Sequence, residues 1–255
     1  MQGARYCQTE CLELALTNLL ARTRVAPRGK VVSHRIPLGL LLLSRQQLTA
    51  DQLRTALEAQ RAAGHGKLGG WLRQLGYANE SQITAALARQ WCCPVLLKSA
   101  GAMGAGLFPA IPVLLLESFQ MMPVELVEAS GILLVAFSER IDYTILYAIE
   151  QMLGCRTEAC VVSPSTLQKS LQTLVPLRGS SDIVFERMDD PGECARIIGN
   201  YSAKLGAAEV RMVRCGEHLW IRLERLRKEA VNLVLRAPAD ATLPVIVGEI
   251  RPSAM

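Results

Sequence analysis

Leu38-Gly39-Leu40-Leu41-Leu42 and Leu68-Gly69-Gly70-Trp71-Leu72 stand thirty residues apart, and the residues after each keep the same register. Gln52 recurs as Gln82, Ala56-Leu57 as Ala86-Leu87 and Gln60 as Gln90, while Leu53 is answered by Ile83. One offset held over so many positions marks a duplicated supersecondary unit. Thr49 and Asn79 also coincide, each just ahead of a helix-period run, where a side-chain oxygen caps free backbone N–H groups. Each copy therefore reads as a short helix, a turn, a cap and a second helix. Residues 35–97 are expected to form a compact helical module with approximate two-fold internal symmetry.

Composition bounds the rest. The chain has 255 residues, half of them apolar, enough for two or three small domains with cores. Its 28 basic and 23 acidic residues leave a mild +5. The densest basic run, Arg222, Arg225, Arg227 and Lys228, is interrupted by Glu224 and Glu229, which suits a solvated face better than a nucleic-acid surface. No nucleic-acid partner is expected. The apolar run Ile36 to Leu43 is far shorter than the roughly 20 residues that span a bilayer. Cys7 to Leu20 carries Glu10 and Glu13, unlike a secretory segment. The expectation is a cytoplasmic protein without direct membrane insertion, whose eight cysteines are thiols. Cys7 with Cys11, and Cys155 with Cys160, lack the spacing of a zinc knuckle and a nearby histidine, so they read as structural cysteines rather than metal ligands.

Residues 1–34 carry Leu12, Leu16, Leu19 and Leu20 on one helical face, suited to packing on the repeat module or to binding a partner. The polar stretch Ala26 to Lys30 then reads as a linker. Residues 98–108 are rich in Gly and Ala. Gly101 to Gly106 lacks the Gly-Lys-Ser/Thr ending of a phosphate loop, so this too reads as a connection. Residues 109–175 suggest strands at Met122–Val127, Gly131–Ser138 and Glu158–Val162. A helix from Tyr143 stops at Gly154, and a last helix is capped by Ser163 or Ser165. Residues 176–255 suggest a strand at Asp182–Phe185, a helix from Cys194 to Leu205, and strands at Glu209–Arg214, His218–Leu223 and Ala230–Leu235. A hairpin turn falls at Gly216-Glu217. The fold class is therefore α+β, an N-terminal helical repeat module followed by one or two small two-layer α/β-sandwich domains.

The repeated Leu-Gly-x-x-Leu, turn, Gln-Leu-x-x-Ala-Leu-x-x-Gln pattern resembles the N-terminal module of the ATPases that power type II secretion and type IV pilus assembly. Trp91-Cys92-Cys93-Pro94-Val95 is similar to that module's short apolar exit. Pro112–Phe119, Met122-Pro123-Val124 and Gly131–Ala136 come next, in the order of the family's next segment. Lys204 to Val210 faintly resembles the start of the motor's first subdomain, without that signature's Asp and His, which implies that 176–255 is a remnant of it. The resemblance implies a bacterial adaptor or regulator whose partner is the secretion or pilus motor ATPase or an inner-membrane platform protein.

Some relatives bind cyclic di-GMP through two such motifs, and the resemblance implies no other cofactor. On that reading Gly39 and Gly69 let backbone approach the dinucleotide, Leu38, Leu42, Leu68 and Leu72 sandwich apolar surface, and Gln60 and Gln90 offer amides. Lys67 stands as the second unit's cation and Gly76 at its turn. The first unit departs, with Pro37 where Arg is expected and Gln46 where Gly is expected. Arg35 is a candidate substitute cation, and a side chain at Gln46 is expected to crowd the turn. The alternative reading is that the glycines make tight helix contacts and the glutamines cap backbone. Nothing points to chemistry. No Gly-x-x-x-x-Gly-Lys-Ser/Thr, His-Glu-x-x-His or Gly-x-Ser-x-Gly occurs in the sequence. A non-enzyme with no catalytic or metal site is expected.

Overall fold

The two copies of the repeat become four helices, α2 (Leu38–Ser44) and α3 (Ala50–Ala63), then α4 (Leu68–Gln74) and α5 (Glu80–Trp91). In the computed structural model, residues 4–6, 9–21, 35–97, 110–174, 182–185, 190–225, 230–236 and 250–252 are described. The linkers expected at Ala26–Lys30 and 98–108 lie outside these, as do Cys7, His34, Arg227, Lys228 and the side chains of Leu19 and Leu20.

Both long helices start in the same way. The Thr49 hydroxyl accepts from the Gln52 N–H at 3.3 Å, and the Gln52 side chain accepts from the Thr49 N–H at 2.9 Å. Asn79 and Gln82 repeat this exchange at 2.9 and 2.8 Å. Each is a capping box, which satisfies two helix-end donors at once. The module's core is built from equivalent positions: Leu42 with Leu72, Leu48 with Ala78 and Ala56 with Ala86, closed by Ile83.

Past α5 the chain joins a three-stranded sheet. Pro94 O accepts from Val161 N at 2.9 Å and Leu96 N donates to Val161 O at 2.8 Å, a short parallel bridge. The sheet comprises β2 (Met121–Val127), β3 (Ile132–Phe137) and β4 (Arg156–Val161), in that order. β2 and β3 are antiparallel, with a register shift between Pro123 and Glu125. β3 and β4 are parallel, connected over α7 (Tyr143–Leu153). Helix α6 (Val113–Ser118) precedes the sheet and α8 (Pro164–Gln172) comes after it. Helix α7 ends on Gly154 at φ +67°, left-handed backbone that glycine adopts without penalty. Of the two candidate serines, Ser163 caps α8, with Pro164 in its first turn.

The second sheet has six strands in the order β1 (Ala4–Tyr6), β9 (Ile250–Pro252), β6 (Glu209–Cys215), β7 (His218–Glu224), β8 (Ala230–Arg236) and β5 (Asp182–Phe185). Its strands alternate between two apolar faces, as period-2 side chains must. Val210, Met212, Leu219, Ile221 and Leu233 face α1 (Thr9–Ala21) and α9 (Pro191–Leu205). Val213, Cys215, Trp220 and Val234 point the other way and join the core of the three-stranded sheet, with Phe137, Ile145 and Leu115. The two α+β stretches thus share a core.

Helix α1 goes elsewhere than to the repeat module. Leu12 and Leu16 are buried against Ile198 and Ala195 of α9. The close approach needs Gly199, where a Cβ would meet the Glu13 carboxylate oxygen at 2.6 Å. Helix α9 itself begins three residues before Cys194, because Asp190 accepts from the N–H groups of Gly192 and Glu193 and Pro191 fits the first turn. A buried polar chain ties the layers together. Trp220 Nε1 donates to Asn232 Oδ1 at 3.0 Å, Asn232 Nδ2 donates to Asp182 Oδ1 at 3.2 Å, and the Val113 N–H at the start of α6 donates to Asp182 Oδ2 at 3.0 Å. Among the described residues, no helix is long and apolar enough to cross a membrane.

Candidate ligand cleft

The duplicated residues are used reciprocally. Gln60 of the first copy donates to the carbonyl of Gly66 at 2.8 Å, and Gln90 of the second donates to the carbonyl of Ile36 at 2.7 Å. Gly66 and Ile36 are themselves equivalent positions. Each copy therefore ties down the segment that leads into the other copy's short helix. The glycines share the same exchange. A Cβ on Gly39 would meet Leu53 Cδ1 at 2.7 Å and Leu68 Cδ2 at 3.4 Å; on Gly69 it would meet Ile83 Cγ2 at 3.0 Å and Leu38 Cδ2 at 3.5 Å. Glycine at these two sites admits the crossing of short helix over long helix. Leu42 and Leu72 are sealed in the module's core and offer no surface to a ligand in this arrangement. Leu38 and Leu68 pack against that core while partly exposed.

The turn at Gln46 behaves differently from expectation. Gln46 takes φ +57°, the left-handed backbone that Gly76 takes at +72° in the second copy. A Cβ on Gly76 would meet nothing within 4 Å, so this turn does not crowd a side chain. The penalty of glutamine there is conformational instead. Arg35, the candidate substitute cation, is stacked on aromatic rings. Its guanidinium lies 3.6 Å from the Trp91 ring centroid and 5.9 Å from that of Tyr143, a stacking position at the joint between module and sheet.

Four of the ten motif residues, Leu38, Lys67, Gly69 and Gln90, line one cleft of about 270 Å³. Its apolar floor is Ile83, Leu87 and Trp91, and its far wall is Ser138, Glu139, Arg140 and Pro164 of the neighbouring α+β unit. Gly39, Leu42, Gln60, Leu68, Leu72 and Gly76 lie outside its lining. Two polar crossings close it. Lys67 is ion-paired with Glu139. Glu80 accepts from the N–H and hydroxyl of Ser165 at 2.9 and 2.7 Å, and also from Arg73 at 3.5 Å. Partial burial holds the Lys67 ammonium below its ordinary pKa, and the neighbouring Arg140 charge adds to this. The far wall has no sequence signature, because Ser138 to Arg140 lie some seventy residues from Lys67 and read only as the end of a strand.

Among the described residues, no cysteine lines the cleft. Cys160, Cys194 and Cys215 are buried, and burial pushes the Cys93 and Cys194 thiols up to about 11, far from nucleophilic thiolates at neutral pH. Among the described residues, no three of His, Cys, Asp and Glu are gathered to hold a metal ion.

No protein-family model and no curated protein matches the chain. Solved structures do. A structure described as MshE with cdg is 24% identical, covering 55% of this chain and 99% of its own, at a TM-score of 0.46. Two crystal forms of the XpsE N-terminal domain are 19% and 21% identical. They cover 53% and 58% of this chain, and 91% and 98% of their own, at TM-scores of 0.40 and 0.34. These neighbours are N-terminal regions of type II secretion and type IV pilus assembly ATPases, the family that the tandem repeat resembles.

Proposed function

We propose that this chain is a non-catalytic adaptor or regulator of a type II secretion or type IV pilus assembly motor, working in the cytoplasm through contacts with the motor ATPase or an inner-membrane platform protein. The observation that carries this reading is the joint between the repeat module and the α+β body. The Pro94–Leu96 bridge to β4 and the Arg35–Trp91–Tyr143 stack hold the two pieces as a fixed pair, the form a docking platform requires. The reciprocal Gln60 and Gln90 bonds stiffen the module in the same way.

A second reading, a receptor for cyclic di-GMP, is favoured by one observation. Leu38, Lys67, Gly69 and Gln90 converge on a single apolar cleft with cations at its rim. At about 270 Å³ it falls just under the roughly 300–1,000 Å³ of usual small-molecule sites, with room for part of a dinucleotide.

One experiment tests both readings. The purified full chain is mixed with a motor ATPase and a platform protein, with and without cyclic di-GMP, and monitored by sedimentation and ATP turnover. The expected outcome is a complex with one of them, sensitive to Trp91→Ala, and no turnover from the chain alone. Magnesium-dependent turnover that tracks this chain through successive columns and vanishes on mutation of one of its residues overturns the non-enzyme reading. A complex indifferent to the dinucleotide removes the receptor reading alone.

A further inference from the structure

We propose that Glu139 is a built-in competitor for the anion position at Lys67, so that an anionic ligand entering the cleft displaces the Glu139 loop and opens that rim while the joint at Trp91 stays fixed. The inference rests on the ligand reading above and adds its regulation. The cleft walls belong to two pieces, the module around Leu42 and Leu72 and the body around Phe137 and Trp220, which meet where Ala88, Leu87 and Trp91 of α5 pack on the body's core. At the rim the links are polar, Lys67 with Glu139 and Glu80 with Ser165, whereas the floor is held by the Arg35–Trp91–Tyr143 stack.

The charges lining the cleft are Lys67, Arg73 and Arg140 against Glu80 and Glu139. Arg73 is held by Glu80 at 3.5 Å. Once Glu139 withdraws, Lys67 and Arg140 face the cleft with no carboxylate between them, and a phosphodiester fits that vacancy. The clasp is also weak enough to yield. The Lys67 and Glu139 side chains are 64% and 41% exposed, and ion pairs so open to water contribute little. The backbone bridge from Pro94 and Leu96 to Val161 carries no charge for an anion to displace and, with the packing of Ala88 and Trp91 on the body, serves as the pivot.

The test uses the full chain, wild type and Glu139→Gln, titrated with cyclic di-GMP by calorimetry and monitored by hydrogen exchange of individual amides. Removing the competitor is expected to strengthen binding by about two- to fivefold, the range an exposed ion pair allows. In wild type, saturation is expected to speed exchange across residues 138–142 and at the Ser165 N–H. In Glu139→Gln, exchange across 138–142 is already fast before ligand. Equal affinities of the two proteins, with no change of exchange on binding, overturn the clasp and leave the receptor reading standing. No heat from either protein overturns both.

Discussion

Gln46 and Gly76 hold the same left-handed turn in the two copies, and only one of them is built for it. A left-handed backbone costs a residue with a Cβ about 1–2 kcal/mol, part of which glycine returns as entropy of the unfolded chain. Gln46→Gly is therefore expected to stabilise the protein by about 0.5–1 kcal/mol. Gly76→Ala should destabilise it by about 1 kcal/mol through backbone conformation alone, since the new methyl meets nothing within 4 Å. Urea midpoints of the two variants decide the matter. A Gln46→Gly protein less stable than wild type would mean that the glutamine side chain holds the turn in some other way. The residue scale also shows where sequence reasoning about the motif stops. That Gln60 and Gln90 matter was readable from their repetition. That each donates to the other copy's lead-in segment was not, because the bond closes over more than fifty residues in one case.

At the scale of elements, helix starts were the most readable features, because a cap is a local exchange of hydrogen bonds. Thr49 with Gln52 and Asn79 with Gln82 form the same box, and neither pair shares a partner with the other. Thr49→Ala and Asn79→Ala should each cost about 1 kcal/mol, and the double variant about the sum. Thermal melts of the three proteins test this; a double variant much worse than the sum would show that the two starts support one another. The start of α9 was missed at sequence level, since Asp190-Pro191 reads equally well as a turn. The destination of α1 was not legible either. Its apolar stripe shows that it must pack, but the choice of α9 depends on Gly199, a glycine whose role appears only when Glu13 lies over it. For the same reason the second copy of the motif was readable while its cleft was not. Lys67 belongs to the repeat, and its partner Glu139 belongs to a loop after β3 that carries no pattern.

Over the whole molecule, the six-stranded sheet is covered on one face by α1 and α9 and on the other by the three-stranded sheet and its helices. The Trp220–Asn232–Asp182 chain ends on the first N–H of α6, so it pins those layers together. Asp182→Ala leaves the buried Asn232 amide and the Val113 N–H without this acceptor, at a cost of about 1–3 kcal/mol. Hydrogen exchange should show both sheets losing protection together; a loss confined to β5 and β8 would mean that the layers open independently. The burial of α1 has one more consequence, which concerns synthesis. Its partner α9 begins roughly 180 residues later in the chain. At about 5–20 residues per second on a ribosome, Leu12 and Leu16 remain uncovered for about 10–35 seconds. During that interval the repeat module can fold complete behind them, while the nascent helix presents its apolar stripe to whatever chaperone waits at the tunnel exit.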